Sequence, residues 1–222
     1  MKSNLEAFEL FKGTLPKEVS LIAVSKTNPA DVIKELYDAG HRDFGENKVQ
    51  EVCEKYEHLP KDIQWHFIGH LQRNKVKYIA PFVALIHSVD SERLLVEINK
   101  RGEQNDRIIP CLLQLHIARE EHKFGLDQEE LSIIIDKVRS GDFPYVRVKG
   151  LMGMASNTND VKKIKVEFQG LKKLYDHYRR SYNDGETTFN TLSMGMTGDY
   201  QIAIEAGSNM LRIGSLIFGS RQ

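Results

Sequence analysis

The residue best placed for covalent chemistry is Lys26, which closes the apolar run Val19 to Ser25 in "VSLIAVSK". A strand that stops on a lysine has a plain reading, a chain reaching water, and a chemical one, an amine aimed into a site. A lysine partly withdrawn from water and close to other cations has a lowered pKa, and its neutral amine condenses with a carbonyl. A second set lies near the other end, in "LSMGMTGDYQIAIEAGSNMLRIGSLIFGSR". Ser193-Met194-Gly195 and Gly214-Ser215 are small, hydroxyl-bearing turns whose backbone N–H groups, with a helix start behind Ser215, suit a phosphate. Arg212 stands two residues before the second turn. A buried guanidinium needs an acceptor. A strand-end carboxylate, Asp43 or Glu46, is one choice, and a ring nitrogen of a bound cofactor is another.

These residues need elements to place them, and the chain supplies a regular alternation of short apolar runs and amphipathic segments. "SLIAVSK" reads as a strand. "NPADVIKELYDAG" follows with helix signals: Asn28 as a cap, Pro29 at the first helical position, a stripe of Ile33, Leu36 and Tyr37, and Gly40 as a stop. The pattern recurs through "HRDFGE", "IQWHFIG", "VALIHSV", "RIIPCLLQLHI", "VRVKGLMGMA", "TFNTLSMG" and "MLRIG", each followed by a helical segment. An initial helix is expected around residues 2 to 12 and a long one from Asp160 to Tyr182. About eight strand–helix units with no linker between them predict parallel strands and a closed (β/α)8 TIM barrel, one domain over residues 1–222. An open doubly wound sheet is the alternative.

In a barrel the reactive face lies at the C-terminal ends of the strands, and phosphate is commonly held after the seventh and eighth. Period-two alternation turns Ile22, Val24 and Lys26 inward, with Leu21, Ala23 and Ser25 outward. Arg212 and Gly214 share a parity on the last strand. An inward lysine there fits a Schiff base with a sugar or keto acid, as in lysine-dependent aldolases, or an internal aldimine with pyridoxal 5′-phosphate (PLP).

The rest of the composition narrows the setting. Lys plus Arg and Asp plus Glu both total 31 in 222 residues, so no net charge draws the chain to nucleic acid or an anionic membrane. The basic segment "DVKKIKVEFQGLKKLYDHYRR" has its apolar residues at helical spacing and reads as a helix with a solvated lysine face. The two cysteines, Cys53 and Cys111, form no CxxC pair and read as reduced thiols. With no signal-peptide pattern and no long apolar stretch, a soluble, cytoplasmic protein is expected. His66 and His70 are four apart, but across a strand and turn that spacing does not bring them onto one metal, and His66 is expected at the barrel mouth. Lys75 and Lys123 read as solvated charges, with a second contact to PLP the alternative reading of Lys123.

The stretches "AVSKTNP", "HRDFGENKVQE", "WHFIGHLQRNK", "GLMGMAS" and the long C-terminal motif resemble the pyridoxal phosphate homeostasis proteins, single-domain relatives of the alanine racemase barrel. The resemblance covers nearly the whole chain. It implies a PLP-binding barrel, monomeric and without established turnover, that acts in vitamin B6 and amino-acid homeostasis. PLP-dependent apo-enzymes are the expected partners. Residue by residue, Lys26 matches the aldimine lysine and Arg212 the partner of the pyridine nitrogen. Ser193, Met194, Gly214 and Ser215 match the phosphate cradle, and Asn47 matches a polar residue beside the ring. Two positions depart from the pattern: Asn28 stands where many relatives have a second lysine, and Thr197 where serine is common. A PLP-dependent racemase is the competing reading. Racemases carry an added β-domain whose tyrosine serves one face of the cofactor. This chain ends at Gln222, just after the barrel, so no such domain is expected. A lysine-dependent aldolase comes third.

Overall fold

A computed structural model describes residues 4–118, 124–182 and 189–219. Helix α1 (Asn4–Gly13) precedes an alternation of strands and helices: β1 (Ser20–Val24), α2 (Ala30–Asp38), β2 (Asp43–Glu46), α3 (Val49–His58), β3 (Gln64–Phe67), α4 (Val76–Ile79), β4 (Leu85–Val89) and α5 (Glu92–Gln104). It continues through β5 (Ile109–Leu115), α6 (Gln128–Arg139), β6 (Val146–Gly153), α7 (Val161–Tyr182), β7 (Thr191–Ser193), α8 (Tyr200–Glu205), β8 (Met210–Ile213) and α9 (Ser215–Phe218). All neighbouring strands are parallel, and β8 pairs with β1, with Ile22 beside Arg212, so the sheet closes into an eight-stranded barrel. The (β/α)8 expectation holds, and the open sheet does not.

Alternation divides each strand between two cores. In β1, Leu21 and Ala23 pack outward with Ile33, Leu36 and Phe44, sealing the sheet to its helices. Inside the barrel Leu85, Leu112 and Met152 form a small apolar cluster, with Met154 and Met210 against it. Helix α7 behaves as its pattern predicts, burying Ile164, Phe168, Leu171 and Tyr175. Strand β6 carries a required glycine. Gly150 has φ of 150°, and a Cβ there would sit 1.8 Å from the main-chain oxygen of Thr191. The register shift of β5 against β6 falls beside it, between Cys111 and Leu112, so the irregularity and the missing side chain go together.

The start of α2 differs from its sequence reading. Pro29 is the N-cap, with no side-chain cap bond. Asn28 instead turns its Nδ2 towards the main-chain oxygen of Lys26 at 3.3 Å. Cys111 is fully buried, and burial pushes its thiol up. Cys53 is partly exposed and, like Cys111, makes no disulfide. Among the described residues no helix is long and apolar enough to cross a membrane.

Candidate cofactor site

Lys26 does not end β1. It lies two residues beyond it, in a turn whose next residue, Thr27, has φ of 67°. A β-branched residue rarely adopts that conformation, and here Glu51 and Lys55 hold the turn on either side of Lys26. The Glu51 carboxylate accepts the Thr27 backbone N–H at 2.5 Å. Lys55 Nζ donates to the Ser25 carbonyl at 2.9 Å, to Glu46 Oε1 at 2.7 Å and to Glu51 Oε1 at 2.7 Å. The Ser25 hydroxyl donates to the same Glu46 oxygen at 2.6 Å. Burial pushes the Glu46 carboxyl up, against the pull of Lys55. The residues on both sides of Lys26 are thus pinned from outside the barrel, while Lys26 itself faces in.

It faces a cavity of 710 Å³ at the C-terminal ends of the strands. The walls follow the predicted parity. Val24 and Lys26 come from the end of β1, Asn47 from the end of β2, Ile68 from β3, Gln114 from β5, Met154 from β6, and Arg212 and Gly214 from β8. Ser215 opens α9 beside them, and Met196 and Thr197 come from the turn after β7. Asp199 Oδ1 fixes that turn by accepting the Met196 N–H at 2.6 Å. At the rim His70 stacks on Phe124, centroids 3.9 Å apart, and its Nδ1 meets Asp90 at 3.0 Å. Gly69 allows the β3 loop to pass close by: a Cβ there would stand 2.4 Å from the main-chain oxygen of Asn47.

Arg212 is the buried cation of the site, 3% exposed. Its Nη1 donates to Ser193 Oγ at 2.6 Å and its Nη2 to the Gly153 carbonyl at 3.1 Å. Burial brings its pKa down to about 10, with the Asp199 carboxylate pulling the other way, so it stays charged at neutral pH. Neither expected carboxylate pairs with it directly. Glu46 points outward to Lys55, whereas Asp43 stands at the start of β2, partly exposed, against His66 Nε2 at 3.1 Å.

The sequence-derived residues therefore separate into two groups. Lys26, Asn47, Arg212, Gly214 and Ser215 meet at one cavity, joined by Thr197 and Asn28. Ser193 and Met194 stand behind it. The Ser193 hydroxyl is fully buried against Arg212 and His87, and the Met194 side chain is packed in the outer core. His66 lies inside the barrel rather than at its mouth, bonded through Nδ1 to His87 Nε2 at 2.9 Å. His70 alone of that pair lines the cavity, and no group of metal-ligating side chains forms among the described residues. Lys123 lies outside the described residues. Sequence reasoning missed Ile68, Gln114 and Met154, although counting parity along β3, β5 and β6 would have found them. Phe124 belongs to a loop, where no such periodicity exists.

Comparison with known proteins agrees with this geometry. Residues 2–222 match the family model of the alanine racemase N-terminal domain. The chain is 40% identical over 203 residues to the pyridoxal phosphate homeostasis protein of Aquifex aeolicus, covering 91% of this chain and 87% of that protein. It is 36% identical over 220 residues to the one of Escherichia coli K12, covering 94% and 88%. The solved structure of PipY from Synechococcus elongatus, without PLP, superposes with a TM-score of 0.90 at 30% identity over 98% of this chain and all of that one. The structure of PipY with PLP bound gives 0.86 at 30% identity, over 97% of this chain and 100% of that one. With the barrel, the inward lysine and the buried arginine in place, the chain belongs to the alanine racemase N-terminal domain family, among its pyridoxal phosphate homeostasis proteins.

Proposed function

We propose that this protein binds PLP in the cavity between Lys26 and Arg212 and serves in intracellular vitamin B6 and amino-acid homeostasis, holding the cofactor rather than turning over a substrate. The observation that carries the reading is that Lys26, in the turn after β1, and Arg212, on the adjacent strand β8, line one cavity whose described walls contain no Asp or Glu. A doubly anionic phosphate with an aldehyde needs cations, an amine and no acid nearby. The fit extends to Asn47, whose Oδ1 is buried without a hydrogen-bond partner and is therefore available to a ligand hydroxyl.

When bound, PLP supplies an aldehyde that condenses with an amine and a ring that accepts electrons. Lys26 presents that amine from a turn pinned on both sides. Arg212 has N–H groups beyond the two it gives to Ser193 and Gly153, and these can meet the ring nitrogen. Gly214 and Ser215, with the first N–H groups of α9, line the cavity together with Met196 and Thr197 and suit the phosphate. Ile68, Met154 and Phe218 supply apolar wall that keeps water from the amine.

The holding role follows from Arg212. A charged arginine donating to the ring nitrogen keeps it unprotonated and weakens the cofactor as an electron sink. Racemisation also needs acid and base groups on both faces, and the described lining has no tyrosine. This reading includes action as a monomer and delivery to PLP-dependent apo-enzymes. Borohydride treatment of the PLP-loaded protein followed by peptide mapping tests the site: the pyridoxyl label is expected on Lys26 and absent in a folded Lys26→Ala variant. A label elsewhere sinks the assignment. Following α-proton exchange of L-amino acids in D2O separates holder from enzyme, because fast, saturable exchange would establish the racemase-type alternative.

A further inference from the structure

Arg212 is buried, and among the described residues no carboxylate hydrogen-bonds to it. A line of side chains instead runs from it through the barrel interior. Ser193 Oγ lies 2.6 Å from Arg212 Nη1 and 3.1 Å from His87 Nδ1. His87 Nε2 lies 2.9 Å from His66 Nδ1, and His66 Nε2 lies 3.1 Å from Asp43 Oδ1. Asp43, at the start of β2, is 44% exposed at the barrel end opposite the cavity. The two ends of this line fix its polarity. An arginine only donates and an ionised carboxylate only accepts. Ser193 therefore accepts from Arg212 and gives its own proton to a bare His87 Nδ1. His87 then donates from Nε2 to a bare His66 Nδ1, and His66 donates from Nε2 to Asp43. Every link is satisfied by neutral imidazoles.

The opposite polarity fails on two counts. It requires a doubly protonated His66, a second cation inside the barrel with Arg212. It also makes Ser193 accept from both neighbours and leaves its buried hydroxyl proton without an acceptor. We propose that Asp43, His66, His87 and Ser193 form one directed hydrogen-bond relay, with both imidazoles protonated on Nε2, that positions Arg212 for the cofactor's ring nitrogen. The full burial of His87, which drives its pKa far down, agrees with a neutral ring there. A hydroxyl that donates is a better acceptor, so the aligned relay strengthens the bond that orients the guanidinium. These four are positioning residues. Their role rests on the PLP reading above, whereas the polarity of the relay does not.

Nitrogen NMR of ring-labelled histidine in the PLP-free protein tests the polarity. Both His66 and His87 are expected to carry hydrogen on Nε2 alone, and a hydrogen on His87 Nδ1 overturns the relay. Equilibrium PLP titration tests the positioning. His87→Leu is expected to weaken PLP about tenfold and to shift the visible absorbance of the bound cofactor. His87→Gln, whose amide both accepts and donates, is expected to recover most of both. If His87→Leu does not fold, Ser193→Ala removes the link to Arg212 with one atom and carries the same expectation. A folded His87→Leu or Ser193→Ala protein with wild-type affinity and spectrum overturns the positioning role. Wild-type protein that shows both Nε2 tautomers yet takes up no PLP also overturns that role, and leaves the polarity standing.

Discussion

Lys55 Nζ lies 2.9 Å from the main-chain oxygen of Ser25, the residue that precedes Lys26. Lys55 sits on α3, in contact with Glu46 at the end of β2 and Glu51 one turn before it, and it is 7% exposed. Two of its donors meet the two carboxylates, and its third holds the backbone of the Lys26 turn. Removing one member of a buried ion group leaves the others uncompensated. Lys55→Met is therefore expected to lower stability by about 3 kcal/mol and to slow borohydride-trapped labelling of Lys26. Urea denaturation and a labelling time course measure the two effects, and a variant matching wild type in both would show that the cluster is idle.

Arg212 combines a hydrogen bond to Ser193, another to Gly153 and a place on the cavity wall. Arg212→Met keeps much of its volume and removes its donors. The expected result is PLP retention reduced roughly ten- to a hundredfold, the range for a lost charged hydrogen bond. Dialysis of the loaded protein followed by absorbance gives the number. Unchanged retention would assign the guanidinium to the barrel interior alone.

Gly69 passes so close to Asn47 that a Cβ would lie 2.4 Å from its main-chain oxygen. Gly69→Ala forces the ends of β2 and β3 apart, at a cost of about 1–3 kcal/mol, and moves Asn47 with them. Thermal unfolding with and without PLP separates the two consequences. The unliganded melting temperature should fall, and the PLP-induced rise should shrink as well. A fall without any change in the PLP-induced rise would remove Asn47 from the site.

His41 gives a pH dependence whose sign is determined. It is 5% exposed, packed against Phe8 and Phe44, with Nε2 at 2.9 Å from the Asp43 carbonyl. Burial lowers its pKa from 6.5 to about 4. The unfolded chain therefore binds a proton in the interval where the folded protein does not, and stability falls as pH drops from 6.5 towards 4. The loss from this group is about 3 kcal/mol. His41→Phe keeps an aromatic ring but cannot take up a proton. Its urea midpoint should vary less across that interval than the wild-type midpoint. Parallel curves would place the acid sensitivity elsewhere, with His87 the next group to test.

Much of this protein was legible before its structure, and the reason is periodicity. Strand alternation and helical stripes are local properties, so "SLIAVSK" could be read as a strand with Lys26 on the inward side, and eight such units as a barrel. Parity also set Arg212 and Gly214 facing the same interior. Periodicity has no hold on a turn. Lys26 proved to lie beyond β1 beside a left-handed Thr27, and Asn28 bonds the Lys26 carbonyl instead of capping α2.

What the tertiary structure alone decided is which polar groups meet. The sequence by itself determined the kinds of residue and the side of the strand each occupies. Ser193 and His87 are 106 positions apart and Lys55 and Ser25 are 30 apart, yet each pair is in hydrogen-bond contact. Barrel closure brings β8 against β1 and sets the height of every inward residue. Those heights follow from the strand register and its local irregularities in the β4–β5 and β5–β6 pairings. A shift of one residue would turn His66 or Ser193 out of the barrel. Register arises from the packing of all eight strands together, so the relay behind Arg212 becomes visible only when the barrel is closed.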